Sequence, residues 1–452
     1  MIARLSTKVE PPPLTGWRGR SDVASDARSW QHSPPEVRDR EAAINPVRKR
    51  RTYLLTGYEP LPPAAHHHRF AREIGRFEKT WSLSAAVGPM AQADDRPVAS
   101  WAATVSGPDF TVETDVRLLR WDDIVAEDME LPVWRRLPRY LSAAADILVT
   151  GTFRRYAAAY WRYSFFAAYP LVLLVLFAVL GWGGSLAWAK AGLGDAAWMR
   201  LIVSAAIFAA LLKAAGGRLH MDYMLSDWVF ARDMMRERRP AIAGRAAAFA
   251  REIAAGMAEG DVDEVVVVAH SLGAVWMLQA IALALTQVPG LARGAIPLGL
   301  AGVGSSTLKI ALHPAAGWLR ESVRRVADEP AITWAEYDSH VDFICFYKNN
   351  TVDALGLATA TKPVRQSIRL SRMLSPETWR RFRGNLLRIH RQYVMGNEQR
   401  YAYDFHMIAC GPFRFADIVR HRQALPEGLG PDGSLARAAR PFPPDDKDAA
   451  RP

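Results

Sequence analysis

Ser271 is the residue whose surroundings most clearly suggest covalent chemistry. A run of branched apolar residues, Glu264–Ala269, precedes it, and a helix-forming stretch, Ala274–Ala280, follows it. A serine on a sharp turn between a strand and a helix needs small residues two positions before and after it, because the two elements approach closely there. Gly273 is as small as this turn requires, and Ala269 is larger than glycine by only one methyl group. Such a motif also arises by chance, but its flanking elements favour a catalytic nucleophile.

The pentapeptide around this serine resembles the nucleophile motif of the α/β-hydrolase superfamily, in particular of its lipase-like and esterase-like members. It reads Ala269-His270-Ser271-Leu272-Gly273. The resemblance covers roughly residues 50–415 and implies an α/β fold, with a mostly parallel sheet flanked by helices. In this chain we expect a two-helix transmembrane hairpin, predicted below from two apolar segments, as an insertion before the nucleophile strand. The resemblance also implies a Ser-His-Asp triad whose acid and base follow the serine in the chain.

Two aspartates are candidates for the acid of this triad. The segment Ala331–Tyr337 is predicted to be a strand, and Asp338 and Asp342 both follow it. We favour Asp342, because lipase-like relatives place the acid several residues beyond the strand and before an apolar residue. Asp338 remains the alternative, and either residue could instead cap a turn.

Two histidines are candidates for the base. His390 lies three residues before Tyr393, and this spacing resembles the His-x-x-Tyr that carries the base in lipase-like relatives. His406 is the alternative, although its apolar neighbours are more typical of a packed core histidine. His340 is adjacent to the acid loop and comes too early in the chain, and His421 lies near the C-terminal tail. We therefore favour His390.

A tetrahedral intermediate needs backbone N–H groups that stabilise its oxyanion. In the superfamily one belongs to the residue after the serine, here Leu272, and another to the loop after an earlier strand. The loop after the predicted strand Thr52–Leu55 contains Gly57 and Tyr58, and Thr56 stands where relatives have a histidine. An ordinary glycine turn is the alternative interpretation of this loop.

Neither the cysteines nor a run of histidines predicts a metal site. Cys345 and Cys410 are too few for a disulfide framework and show no metal-ligand spacing, so we expect two reduced core residues. The run His66–His68 begins a predicted helix, where adjacent side chains point in different directions and cannot all reach one ion. We expect no metal and no cofactor.

Two apolar segments ahead of the serine are long enough to cross a bilayer. Phe165–Trp182 carries no charge, and Ala196–Ala215 has basic residues only near its ends. The length of each segment is close to the roughly 20 residues that a transmembrane helix needs. Soluble helices rarely lack a polar face, so we interpret the pair as a transmembrane hairpin rather than as buried helices or a cap domain. Basic residues flank the hairpin and are few in its connecting loop, which predicts cytoplasmic flanks.

These segments divide the chain into five parts. Residues 1–50 and 425–452 are polar and proline-rich and are predicted to be disordered tails, the first of them basic. The hydrolase domain is predicted in two pieces, 51–150 with an antiparallel β-meander and 221–424 with the nucleophile. The hairpin at 151–220 separates them.

The net charge and the apolar segments together indicate the partners. The chain of 452 residues has a formal charge of +11, which suits nucleic acid or an anionic membrane. Because apolar spans are present, we expect membrane lipids and a small-molecule or lipid acyl substrate as partners, and no nucleic acid.

The sequence therefore predicts an integral protein of a bacterial inner membrane, with two spans and a cytoplasmic hydrolase domain. Its expected reaction is the cleavage of an ester, thioester or lipid acyl bond. A non-catalytic membrane scaffold with the same fold is the alternative. Two spans with charge only near their ends give little support to a transporter or channel.

Overall fold

The structure, a computed structural model, describes residues 46–92, 95–131, 133–216, 218–421 and 425–436. These residues form nine β-strands and sixteen α-helices. The strands are β1 (Lys49–Leu55), β2 (Ser84–Val87), β3 (Ala91–Gln92), β4 (Val98–Ser106), β5 (Thr111–Leu119), β6 (Glu264–His270), β7 (Leu298–Val303), β8 (Ile332–Asp338) and β9 (Val364–Ser367). The helices are α1 (Pro63–Trp81), α2 (Asp122–Glu130), α3 (Val133–Val149), α4 (Thr152–Lys190), α5 (Ala197–Gly216), α6 (Met221–Met235), α7 (Pro240–Glu259), α8 (Gly273–Gln287), α9 (Thr307–Ala311), α10 (Gly317–Ala327), α11 (Thr351–Ala354), α12 (Pro376–Phe382), α13 (Leu386–Arg391), α14 (Phe405–Cys410), α15 (Phe415–Arg420) and α16 (Leu425–Gly428).

Regular structure reaches into both segments that the sequence predicts to be tails. The side chain of Arg50 is fully buried and its Nε donates to a Glu264 oxygen at 2.9 Å, so the end of the basic segment belongs to β1. In the C-terminal segment, α16 is followed by a β-bridge between Leu429 and Leu435. The rest of the predicted tails, residues 1–45 and 437–452, lies outside the described residues.

The nine described strands form one mixed sheet. Their order is β2-β4-β5-β1-β6-β7-β8-β9, with β3 also paired to β4. The run from β5 through β1 and β6 to β9 is parallel throughout, whereas β4 is antiparallel to β2, β3 and β5. The predicted α/β class, with a mostly parallel sheet flanked by helices, is confirmed.

Alternate residues of the central strands face two apolar layers, because the side chains of a strand point to opposite sides of the sheet. Tyr53 and Leu55 of β1 pack with helices α6, α7, α8 and α10, while Leu54 packs with α1 and α14. On β6, Val267 faces the first layer and Val266 the second. Each fully buried apolar side chain contributes about 1.5–3 kcal/mol. Helices therefore cover both faces of the sheet and bring the carboxyl ends of β1 and β6 together.

Helices α4 and α5 are long and apolar enough to cross a membrane. Helix α4 has 39 residues, extends beyond the predicted apolar segment at both ends, and has a non-helical backbone at Tyr160. The two helices approach closely at Gly181, where a Cβ atom would lie 2.6 Å from the carbonyl oxygen of Ser204. The apolar stretches of α4 and α5 are 28% and 6% buried, so most of each stretch lies on the surface of the described structure.

Candidate active site

Ser271 lies on a sharp turn between β6 and α8. Its φ of 55° falls in the left-handed region, which residues other than glycine rarely adopt. The Ser271 N–H donates to the Val303 carbonyl, and the Ser271 carbonyl accepts from the N–H groups of Ala274 and Ser306, each at 3.1 Å. Backbone strain of this kind costs about 1–3 kcal/mol and persists where the surrounding structure fixes it. These hydrogen bonds tie the strained turn to the end of β7 and to the first turn of α8.

Small residues around Ser271 let the strand and the helix approach. A Cβ atom on Gly273 would lie 2.4 Å from the carbonyl oxygen of Leu55, so only glycine fits there without movement of the backbone. Ala269 is fully buried, and its in-register neighbour on β7 is Gly302. The methyl group of Ala269 packs in the apolar layer that also contains Leu55 and Val267.

Asp342 and His390 form a buried hydrogen-bonded pair. Asp342 lies in the loop after β8 and His390 lies on α13, and His390 Nδ1 donates to Asp342 Oδ2 at 2.8 Å. The N–H of Ile344 donates to the other carboxylate oxygen at 2.9 Å. Burial alone would raise the pKa of Asp342, but the His390 ring and these hydrogen bonds outweigh it and hold the pKa below its usual value. The carboxylate therefore stays ionised and orients the imidazole.

The second ring nitrogen of His390, Nε2, is buried and has no hydrogen-bond partner among the described residues. Because Nδ1 carries the proton, Nε2 of the neutral ring is an acceptor. Ser271 and His390 line the same cavity, whose volume is about 590 Å³. Ser271 Oγ is hydrogen-bonded to Ser306 Oγ at 3.2 Å instead of to His390. Catalytic hydrogen bonds are often long or misaligned without substrate and tighten in its complex.

Asp338, the alternative acid, is engaged elsewhere. It ends β8, and its two carboxylate oxygens accept hydrogen bonds from the Arg365 guanidinium of β9 at 2.5 and 2.8 Å. Burial raises the pKa of this carboxyl to about 6. The carboxylate that is hydrogen-bonded to the His390 ring is that of Asp342, so the structure brings Asp342 and not Asp338 to His390.

His406, the alternative base, lies on α14 in the apolar core. Its ring is fully buried and packs against Phe70 and Phe77, and neither ring nitrogen has a hydrogen-bond partner in the described chain. Burial lowers the pKa of His406 to about 3, which keeps the ring neutral. The described lining of the Ser271 cavity does not include it, so His406 occupies the position of a core residue.

The loop after β1 lies against the serine. A Cβ atom on Gly57 would lie 3.1 Å from Ser271 Cβ and 3.6 Å from Ser271 Oγ, so the glycine permits this close approach. The backbone N–H groups of Tyr58 and Leu272 make no hydrogen bond within the described parts of the chain. Leu272 directly precedes α8, where N–H groups and the helix dipole favour negative charge. All three predicted oxyanion-hole residues therefore border the serine or its cavity.

Ser306 and His270 also belong to the site, although the sequence assigns neither of them a role. Ser306 follows β7, the strand next to β6, and reaches the site because the carboxyl ends of neighbouring parallel strands lie side by side. A serine shortly after the strand next to the nucleophile strand is the signal that could have identified it.

His270 contacts both the ring and the backbone of the candidate base, His390. Its ring lies 4.6 Å from the His390 ring, centroid to centroid, and its Nε2 donates to the His390 carbonyl at 3.0 Å. Burial and the nearby His390 lower the pKa of His270 to about 3, so it remains neutral. His270 thus fixes the backbone of His390 without placing a second positive charge beside it.

The described residues include no group of three or more side chains placed to hold a metal ion. In the histidine run, His66 Nδ1 lies 2.8 Å from a nitrogen of Arg69, and His67 Nε2 lies 2.9 Å from the carbonyl oxygen of Gly88. These two side chains have different partners and do not converge. Cys345 and Cys410 are both buried and unpaired.

Comparison with protein-family models, with curated proteins and with solved structures found no match for this chain. The interpretation of the site therefore depends on its geometry and on the chemistry of its side chains.

Proposed function

We propose that the protein is a membrane-anchored serine hydrolase that cleaves an ester, thioester or lipid acyl bond. One observation carries the proposal: Ser271, on a strained turn, opens into the same cavity as the His390 imidazole that Asp342 orients. A serine with positive φ between a strand and a helix has the geometry of a nucleophile elbow. The Gly57 loop, which follows the strand paired with β6, supports an α/β-hydrolase fold.

In the proposed reaction, His390 Nε2 takes the proton of Ser271 Oγ as that oxygen attacks the carbonyl carbon of the substrate. Ser271 Oγ, which lies 3.2 Å from Ser306 Oγ, must first form a hydrogen bond to His390 Nε2. The oxyanion then accepts hydrogen bonds from the N–H of Leu272 and from the Gly57 loop. The imidazolium, stabilised by Asp342, protonates the leaving group, and water repeats the sequence to release the acyl group as an acid.

Helix α3 supports the membrane part of the proposal. Its inward side packs buried apolar residues such as Ala143 against α6. It also forms ion pairs with α6, since Arg139 pairs with Asp233 at 3.1 Å and Asp146 pairs with Arg232 at 3.0 Å. Its outward side is apolar, and the side chains exposed there are Leu137, Leu141, Leu148 and Val149. An apolar side of this extent meets a lipid surface or a partner. Because α3 packs on α4, we place α3 in the membrane interface and α4 and α5 across the bilayer.

The charges that flank α4 and α5 support a cytoplasmic hydrolase domain. Arg154 and Arg155 lie at the start of α4, and Lys213 and Arg218 lie at the end of α5 and just beyond it. Arg162 adds to the first flank, whereas only Lys190 and Arg200 lie beside the connecting loop, residues 191–196. Positively charged flanks remain on the cytoplasmic side, which in this proposal is the inner face of a bacterial inner membrane.

Hydrolysis of p-nitrophenyl butyrate by the detergent-solubilised full chain tests the proposal. We expect Ser271→Ala to lower kcat by at least about a thousandfold, because the nucleophile is lost. Ser106→Ala, at the end of β4, is the matched control and should retain turnover. A folded protein that hydrolyses no ester, or that hydrolyses it equally well as Ser271→Ala, would contradict the proposal.

A non-catalytic membrane scaffold is the second candidate. The contact between Ser271 Oγ and Ser306 Oγ favours it, because no hydrogen bond joins Ser271 to the His390 ring. In that case the same fold would bind a partner at the membrane, and neither Ser271→Ala nor the wild-type protein would differ from buffer in ester hydrolysis.

A further inference from the structure

The cavity beside Ser271 has an excess of positive charge. Its described lining includes four arginines and two glutamates: Arg72, Arg76, Arg388, Arg391, Glu59 and Glu73. Each carboxylate is shared between two guanidinium groups. Glu59 pairs with Arg69 at 2.9 Å and with Arg391 at 3.1 Å, and Glu73 pairs with Arg72 at 2.9 Å and with Arg76 at 3.0 Å. Neither carboxylate can neutralise both of its partners.

The titration of Glu59 reflects the same excess. Burial by itself would raise the pKa of this carboxyl, but Arg69 and Arg391 outweigh burial and lower the pKa to about 2. Positive charge at the wall of a cavity in a protein acts on any anion that enters it more strongly than it would in bulk water.

Arg388 lines the cavity and has no carboxylate partner among the described residues. Its guanidinium lies over the Phe382 ring, 4.6 Å from the centroid, and this cation–π contact restricts the positions that the side chain can adopt. Arg388 is on α13, two residues before His390, and both residues line the same cavity. The guanidinium therefore offers unused N–H donors to a molecule that occupies the site.

We propose that the substrate is an acyl ester that carries an anionic group, a carboxylate or a phosphate, which Arg388 binds while the acyl carbon lies at Ser271. This inference rests on the proposed hydrolase function. A planar guanidinium binds both carboxylate and phosphate through paired hydrogen bonds, so the chemistry of recognition is shared. The anion can belong to a soluble ester or to the head group of an acidic lipid, and the experiment separates these two sources.

Two pairs of esters that differ in charge test the inference. The soluble pair is p-nitrophenyl pentanoate and mono-p-nitrophenyl glutarate, whose acyl chain ends in a carboxylate. The lipid pair is a monoacylglycerol, which is neutral, and the lysophosphatidic acid with the same acyl chain, which carries a phosphate. We expect kcat/KM of the detergent-solubilised full chain to be about tenfold higher for the anionic member of at least one pair. A preference in the lipid pair alone assigns the anion to a lipid head group, and a preference in the soluble pair assigns it to the acyl chain.

Arg388→Gln should reduce this anionic-to-neutral ratio of kcat/KM by about tenfold, and added salt should reduce the ratio in the wild-type protein. Arg383→Gln is the matched control, because Arg383 is exposed, close in sequence and absent from the described lining of the cavity. Equal rates within both pairs, or an equal loss of the ratio in the two variants, would overturn this inference alone. Failure to hydrolyse any of the four esters would overturn the proposed function and this inference with it.

Discussion

His390 and His406 are both buried, but they differ in their capacity to carry charge. His390 has the carboxylate of Asp342 at 2.8 Å, whereas His406 packs against the rings of Phe70 and Phe77. A general base acquires a positive charge during the reaction, and in a buried site a neighbouring carboxylate offsets the cost of that charge. At the scale of the residue, the partner rather than the burial distinguishes a base from a core histidine.

His406→Leu should flatten the pH dependence of stability. Because burial lowers the pKa of His406 to about 3, the unfolded chain binds more protons than the folded chain between that value and the ordinary histidine pKa. Stability therefore falls as the pH drops through this interval, by up to about 1.4 kcal/mol per pH unit for this group. Leucine removes this contribution and fills a similar volume.

Urea unfolding of both proteins at neutral pH and about two pH units lower measures this effect. The wild-type protein should lose more stability on acidification than His406→Leu, and the variant should retain ester hydrolysis. An equal loss in the two proteins would show that His406 does not titrate as its burial implies. Loss of hydrolysis by a stable variant would return His406 to the candidates for the base.

The sequence identifies the serine more readily than its partners. The types and spacing of residues around Ser271 are local, so they can be recognised without a fold. Asp338 and Asp342 follow the same strand, and the contact that separates them is the pairing of Asp338 with Arg365 on the short strand β9, 27 residues away. Ser306 likewise reaches the serine through the order of strands in the sheet, which no spacing in the sequence reveals.

At the scale of the element, the junction of β1, β6 and α8 determines the shape of the site. A Cβ atom on Gly273 would lie only 2.4 Å from the carbonyl oxygen of Leu55, at the end of β1. The helix can therefore approach the sheet only because position 273 lacks a side chain. The same approach brings the Gly57 loop against Ser271.

Gly273→Ala should destabilise the protein by about 1–3 kcal/mol, because the added methyl group forces the backbone apart. Gly244→Ala is the matched control, since Gly244 lies within α7 and a Cβ atom there would meet nothing within 4 Å. That substitution should instead stabilise the protein by up to about 1 kcal/mol. Chemical unfolding of both variants measures the difference. Equal effects of the two substitutions would contradict the close contact between α8 and β1.

Local patterns predict β6 and α8 well, because a run of valines and a following run of helix-forming apolar residues are unambiguous. They predict the extent of α4 less well. Tyr156 and Tyr163, on either side of the kink at Tyr160, pack with Phe346 in a buried cluster. The apolar part of α4 follows Tyr163. A hydropathy pattern detects the second half of α4 but not the first, whose burial depends on a partner almost 200 residues away.

At the scale of the whole molecule, helices α3, α4 and α5 pack in sequence and expose apolar side chains. Leu141 on α3 is 57% exposed and Trp198 on α5 is 65% exposed. The side of α3 that faces α6 is buried and combines apolar contacts with ion pairs. Its opposite side exposes apolar side chains where a helix that faces water would carry polar ones. We expect these apolar side chains to contact lipid.

A fluorophore on Leu141→Cys in liposomes should report an apolar environment, with quenching by nitroxide-labelled lipid and protection from iodide. Gly244→Cys on α7 is the control and should show the opposite behaviour. The natural cysteines, Cys345 and Cys410, are buried and should not compete for the label. A fluorophore at Leu141 that iodide quenches as strongly as the control would exclude α3 from the membrane interface.

The central claim is that Ser271 is a nucleophile activated by His390, and the rate of reaction with a fluorophosphonate tests it most directly. Intact mass spectrometry and peptide mapping of the solubilised full chain should find one adduct, on Ser271. We expect no adduct in Ser271→Ala, a rate at least about a hundredfold lower in His390→Ala, and an unchanged rate in His406→Leu. An adduct on another residue, or wild-type labelling of His390→Ala, would contradict the account.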